Sequence, residues 1–214
     1  IKPITSEMNR ILANFPYLTR LQKEALVGYE GLLRNYNQNI NLISRKDVDY
    51  IYQRHIMHSL SIAKVFSFSA SSHIADVGSG GGFPGIPLAI MFPAVQFTLI
   101  DSIQKKTRVL GEIAVKLNLS NVSVVNSRVE RLNMRFDYVT GRAVTAFPDF
   151  YQLTRHLISP RSHNTRPNGI IYLKGGDIHN DLEMFHKAQV FSVSDIFQEE
   201  FFATKSIIYL PVHI

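Results

Sequence analysis

Glycines at 78, 80, 81, 82 and 85 break an apolar run in IADVGSGGGFPGIPLAI, residues 74–90. A bare backbone between a strand and a helix lets a ligand approach the chain closely and permits positive φ. Two patterns overlap there. Gly80, Gly82 and Gly85 fit the G-x-G-x-x-G of dinucleotide sites, and Gly78, Gly80 and Gly82 fit the G-x-G-x-G of S-adenosylmethionine sites. Asp76 separates the two. A carboxylate ahead of the first glycine opposes a pyrophosphate but attracts a sulfonium and an ammonium, while the ligand's own carboxylate could use free amides at the following helix start. Asp101, with Ser102 after it, closes the next apolar run, where a carboxylate can accept both ribose hydroxyls of an adenosine. The plain alternative is a tight glycine turn with Asp101 capping the next helix.

These residues need a particular scaffold. From Ile74 onward short apolar runs alternate with helical patterns: strands at 73–77, 96–101, 122–126, 136–141 and 169–175, and helices at 84–92, 105–117, 147–158 and 177–187. The segments 189–198 and 204–212 read as two final strands able to pair as an antiparallel hairpin. The alternation predicts an α/β fold with a mostly parallel sheet covered on both faces. Residues 1–70 read as a helical extension, distinct from a second region at 71–214. In it, Leu21, Ala25, Tyr29, Leu32 and Tyr36 form one apolar face; Tyr50, Ile51, Ile56, Leu60, Ile62 and Val65 form another. The basic, turn-rich stretch SPRSHNTRPNG, residues 159–169, reads as a mobile surface loop.

Read with its flanks, the chain resembles the bacterial ribosomal RNA small subunit methyltransferase G family, also called glucose-inhibited division protein B. The matching pieces are NYNQNINLI, RHIMHSL, DVGSGGGFPGIPLAI, LIDSIQKKTRVL, SRVERL, FDYVTGRAV and YLKGG. The resemblance implies a Rossmann-like class I methyltransferase fold, seven-stranded with an antiparallel last strand. It further implies methyl transfer from S-adenosylmethionine to N7 of a guanosine in 16S ribosomal RNA. By the same resemblance Gly78 and Phe83 contact the cofactor, Val129 and Glu130 lie beside the adenine, and Arg142 faces the cofactor and substrate cavity. The family motif H-x-x-D-S-L carries His58 here in place of its acid, which removes whatever contact the carboxylate makes.

That chemistry suits the composition. N7 of guanine carries a lone pair and no proton, so no general base is needed, and no catalytic residue is assigned. A-form RNA hides N7 in a narrow groove, so the target base must lie in a loop or be flipped. The net charge is +6. Lys105, Lys106, Arg108, Arg142, Lys174, Arg54 and His55, with Arg45 and Lys46, are expected to form a basic collar for the RNA or small ribosomal subunit. Singly, each is a solvated charge. The absence of cysteine rules out disulfides and thiol catalysis. His73, His156, His163, His179, His186 and His213 show no metal-ligand spacing. No apolar run is long enough to span a bilayer, and a cytoplasmic monomer is expected. Two other classes fit the glycine loop: a NAD-dependent oxidoreductase, and a non-enzymatic RNA-binding assembly factor with a vestigial pocket.

Overall fold

A computed structural model describes residues 6–212; His213 lies outside them. The extension opens with α1 (Ser6–Asn14) and α2 (Arg20–Tyr36). Thr19 starts α2 with a capping box, its hydroxyl accepting from the Gln22 amide while Gln22 accepts from the Thr19 amide. The buried face of α2 is Leu26, Tyr29 and Leu33. Leu21, expected inside, is 70% exposed. The stripe is rotated from the sequence expectation because tertiary partners, not spacing alone, choose which apolar residues go in.

A 3-10 turn (Arg45–Tyr50) and a π-helix (Ile51–Met57) follow, then two short helices, α3 (His58–Leu60) and α4 (Ile62–Val65). The expected single helical stretch is thus broken into unequal turns, and Tyr50 lies exposed rather than in the core.

The remainder is a seven-stranded sheet of β1 (His73–Val77), β2 (Gln96–Asp101), β3 (Val122–Asn126), β4 (Tyr138–Arg142), β5 (Gly169–Gly175), β6 (Gln189–Ser192) and β7 (Lys205–Pro211). Its order is β3-β2-β1-β4-β5-β7-β6. Neighbouring strands run parallel from β3 across to β5, while β7 is antiparallel to both β5 and β6. This is the Rossmann-like class I arrangement. Strands covered on both faces read as near-continuous apolar runs. Ile74, Ala75 and Val77 in β1 and Ile207 to Leu210 in β7 are all buried, with Asp76 a buried polar exception in β1. Between the strands lie α5 (Gly85–Met91), α6 (Gln104–Lys116), α7 (Phe147–Thr154) and α8 (His179–Leu182). The helix expected over 177–187 shrinks to α8: four helical residues are too few to persist alone, and the side chain of Asp177 holds the start by accepting from the His179 amide.

One hydrophobic core runs from Met8 and Phe15 through Leu33, Leu60, Ile86 and Leu110 to Tyr209, so the helical extension packs on the sheet's helices rather than apart from them. A second core under α7 covers the other face. The 159–169 segment is pinned, contrary to its expected mobility. Asn164 accepts from the Ser69 amide and the Ser72 hydroxyl, Tyr138 and Tyr209 donate to the Arg166 and Pro167 carbonyls, and the Arg166 guanidinium lies 5.0 Å from the Phe66 ring.

Candidate active site

The order of strand connection reverses between the parallel neighbours β1 and β4, the place where open α/β sheets leave a crevice beyond the strand ends. The glycine loop sits there. Gly78, Gly80 and Gly82 have φ of 70°, 55° and 99°, which only glycine adopts without strain. Gly85 is needed for a different reason: a side chain there would meet Leu99 at 2.2 Å and Asp76 at 2.7 Å, so α5 could not close on the sheet.

Asp76 lies beneath this loop, fully buried, rather than facing the crevice. One carboxylate oxygen accepts from the Gly85 amide at 2.9 Å; the other is buried without a partner among the described residues. Burial pushes its pKa up to about 7, opposed by the Gly85 amide, the Ser79 hydroxyl and the Arg142 charge. The expected supply of free amides is also corrected. Those of Gly78, Ser79, Gly80, Gly82, Phe83 and Gly85 already donate to protein acceptors, so the loop offers close backbone approach more than open donors.

Beside the loop is a cleft of about 390 Å³ lined by Val77, Gly78, Asp101, Ser102, Ile103 and Val129, with Glu130, Lys106, Arg128 and Val144 at its edge. Gly78, Asp101, Ser102, Val129 and Glu130, widely separated in sequence, come together here. Asp101 accepts from the Gly80 amide at 3.0 Å and the Ile103 amide at 2.9 Å, and it also lines the cleft. Its two oxygens offer about four lone-pair sites, which leaves acceptor capacity for a pair of hydroxyls. A carboxylate with that capacity, apolar Val129 and Ile103, and a side-chain-free Gly78 fit the adenosine part of S-adenosylmethionine.

A second cavity, about 660 Å³, opens on the other side of Val144. Arg54, His55, His58, Arg142, Lys174 and Lys205 supply its polar wall, with Asp47, Tyr172 and Phe201. Val144 lines both cavities, and a side chain on Gly78 would meet it at 2.7 Å. The Tyr172 hydroxyl holds this partition: it accepts from the Val144 and Thr145 amides and donates to the Thr145 carbonyl at 2.7 Å.

Arg142 ends β4 in this cavity. It donates to the Arg54 carbonyl at 3.2 Å and to His55 Nδ1 at 2.7 Å, and its guanidinium lies 4.8 Å from the Phe83 ring. Burial brings its pKa down to about 10, which leaves it charged at neutral pH. His55 is corrected as a collar residue: it is buried, and burial with the Arg142 charge drives its pKa to about 3. The Phe83 ring lines neither cavity and packs against Tyr29, His55 and Arg142.

Other collar residues are partly neutralised. Arg54 pairs with Asp47 at 2.7 Å, Arg108 with Glu112 at 3.2 Å, and Lys174 with Asp181. Lys105 is exposed and Lys106 reaches the cofactor-side cleft. Sequence reasoning missed Lys205, Arg128, Val144 and Tyr172. A position just past a strand's C-terminal end was a usable signal for Val144; Tyr172 lies inside a buried strand and gave none.

With this geometry in place, the chain's similarities can be weighed. The family model described as rRNA small subunit methyltransferase G matches residues 22–206. A protein of that name from Christiangramia forsetii is 48% identical over 92% of this chain and 94% of its own length. Another from Bacteroides thetaiotaomicron is 44% identical over 96% and 100%. Among solved structures, an MtNAS variant in complex with S-adenosylmethionine superposes with TM-score 0.57 at 14% identity, over 97% of this chain and 80% of that one. A SAM-dependent methyltransferase from Aquifex aeolicus gives 0.56 at 14%, over 79% and 100%. The structural likeness shows the fold; the sequence matches go further, and the chain belongs to the ribosomal RNA small subunit methyltransferase G family.

Proposed function

We propose that this protein uses S-adenosylmethionine to methylate N7 of one guanosine in 16S ribosomal RNA, acting as a cytoplasmic monomer on that RNA or on the small subunit. The observation that carries the reading is the pair of cavities meeting at Val144, one suited to an adenosine and one walled by cations. In this reading Gly78, Asp101, Ser102, Val129 and Glu130 hold the cofactor, and Asp76 adds a favourable field from beneath the loop. When bound, the cofactor supplies a methyl group on a sulfonium, which the N7 lone pair takes while the bonding electrons stay on sulphur.

The protein's own part is placement. The imidazoles of His55 and His58 are driven well below their ordinary pKa by burial and by Arg142, so they are poor bases. N7 needs none. Arg142, charged and fixed, lies in the wall where the base enters, and Lys205 is available to phosphate, whereas Arg54 is held by Asp47. The segment 71–214 then carries the chemistry and residues 1–70 form the rear of the acceptor cavity through Asp47, Arg54, His55 and His58.

The test is labelled methyl transfer to small subunits from cells lacking the enzyme, followed by nucleoside analysis. One new 7-methylguanosine in the 16S RNA is expected. Cofactor binding without incorporation would favour an assembly factor instead.

A further inference from the structure

We propose that His55 is a positioning residue for the acceptor cavity: as a neutral ring it accepts a hydrogen bond from Arg142 through Nδ1, and with the Arg54 carbonyl it fixes the guanidinium over Phe83, where the incoming guanosine arrives. This rests on the methyl-transfer reading for the identity of the acceptor, but the arrangement itself is a property of the protein alone.

The protonation pattern follows from the donor. A guanidinium has only donors, so the 2.7 Å contact with His55 Nδ1 requires a lone pair on that nitrogen. The proton of the neutral ring then sits on Nε2. That atom is buried and has no hydrogen-bond partner among the described residues; Asp47 Oδ2 lies 3.9 Å away, beyond bonding reach. A protonated ring would place a second donor against Arg142 and a second buried charge beside it. The charged or titratable groups facing His55 are Arg142 from β4, Asp47 from the 3-10 turn, and Arg54 and His58 from its own segment. Arg142 and Arg54 oppose protonation and Asp47 favours it, while the other Asp47 oxygen accepts from Arg54 at 2.7 Å.

The geometry also explains the irregular helix. Both acceptors offered to Arg142 come from consecutive residues, Arg54 and His55, in the π-helix of the extension. Such wide turns recur at functional sites. The His55 ring lies 5.0 Å from Phe83, so ring, phenyl and guanidinium form one packed group. By this contact the extension sets the orientation of a side chain that belongs to the sheet.

Two measurements test the proposal. Nitrogen-15 imidazole spectra of the wild-type protein without ligand should show His55 as the Nε2–H tautomer with no titration between pH 5 and 8. A midpoint near the ordinary histidine value would overturn the proposal, whatever the enzyme acts on. In methyl transfer, His55→Asn keeps an acceptor at the Nδ1 position and should stay within a few-fold of wild-type kcat. His55→Phe keeps the packing but not the acceptor, and should lose on the order of 10²-fold. Both should retain wild-type RNA affinity and salt dependence. Equal losses in the two variants with a shallower salt slope would make His55 a phosphate ligand, and unchanged kcat in His55→Phe would remove the positioning role. Should the wild type fail to methylate RNA, the function falls while the spectra still decide on His55.

Discussion

At the scale of single residues, the site combines groups that sequence could place with groups that it could not. Asp101 ends a predicted strand, so the rule that ligands gather at strand ends already placed it on the rim, whereas Val129 and Glu130 were implied by the family resemblance. His55 and Phe83 belong to contacts between segments far apart in the chain, and their burial depends on how the extension folds back. Asp76 shows the difference most clearly: its type was informative, but its orientation was set by the approach of Gly85. That burial has a measurable consequence. Its pKa is about 7 in the folded protein against 3.8 for the free group, so the folded state holds the extra proton. Stability contributed by the protonated form is present below about pH 4 and is lost as pH rises towards 7, up to about 4 kcal/mol in all. Asp76→Asn should therefore match wild type in chemical denaturation at or below about pH 4 and exceed it at pH 8. At pH 8, where the wild-type carboxylate is ionised, it should also bind S-adenosylmethionine more weakly for want of that charge. A variant as pH-sensitive as wild type would show that another group carries the dependence.

At the scale of elements, the parallel strands were legible because continuous burial demands continuous apolar runs, which His73–Val77 and Gly169–Gly175 display. The extension and the region after β5 were not. Leu21 and Leu26 are equally apolar, and only the neighbours of α2 decide that Leu26 is buried and Leu21 is not. In the 159–169 segment the composition said loop, while Asn164 ties it to Ser69 ahead of β1 and the Arg166 carbonyl accepts from Tyr138 in β4. The segment that joins β4 to α7 is more consequential, since it separates the two cavities and hangs on one hydroxyl. Tyr172→Phe removes an acceptor for two amides and a donor to the Thr145 carbonyl. It should cost about 1–3 kcal/mol of stability and slow methyl transfer while leaving RNA affinity near wild type. Full activity in this variant would mean that the partition needs no such anchor.

On the whole-molecule scale, the net charge of +6 becomes meaningful through where the cations lie. Several are spent on carboxylates, but Lys105 and Lys106 at the start of α6 carry no such pairing among the described residues. Changing both to Glu should weaken RNA binding and reduce the slope of affinity against salt by roughly one to two contacts. Thermal stability should stay near wild type. An unchanged slope would move the RNA path away from α6. Beneath any RNA contact stands the claim that the cleft beside the glycine loop accepts an adenosine bearing a thioether-derived tail and not a diphosphate. Calorimetric titration tests this directly. The account predicts that S-adenosylhomocysteine binds at a single site, that NAD gives no heat of binding, and that Asp101→Asn weakens the former by about 10- to 100-fold. Saturable NAD binding, or S-adenosylhomocysteine affinity unaffected by Asp101→Asn, would contradict it.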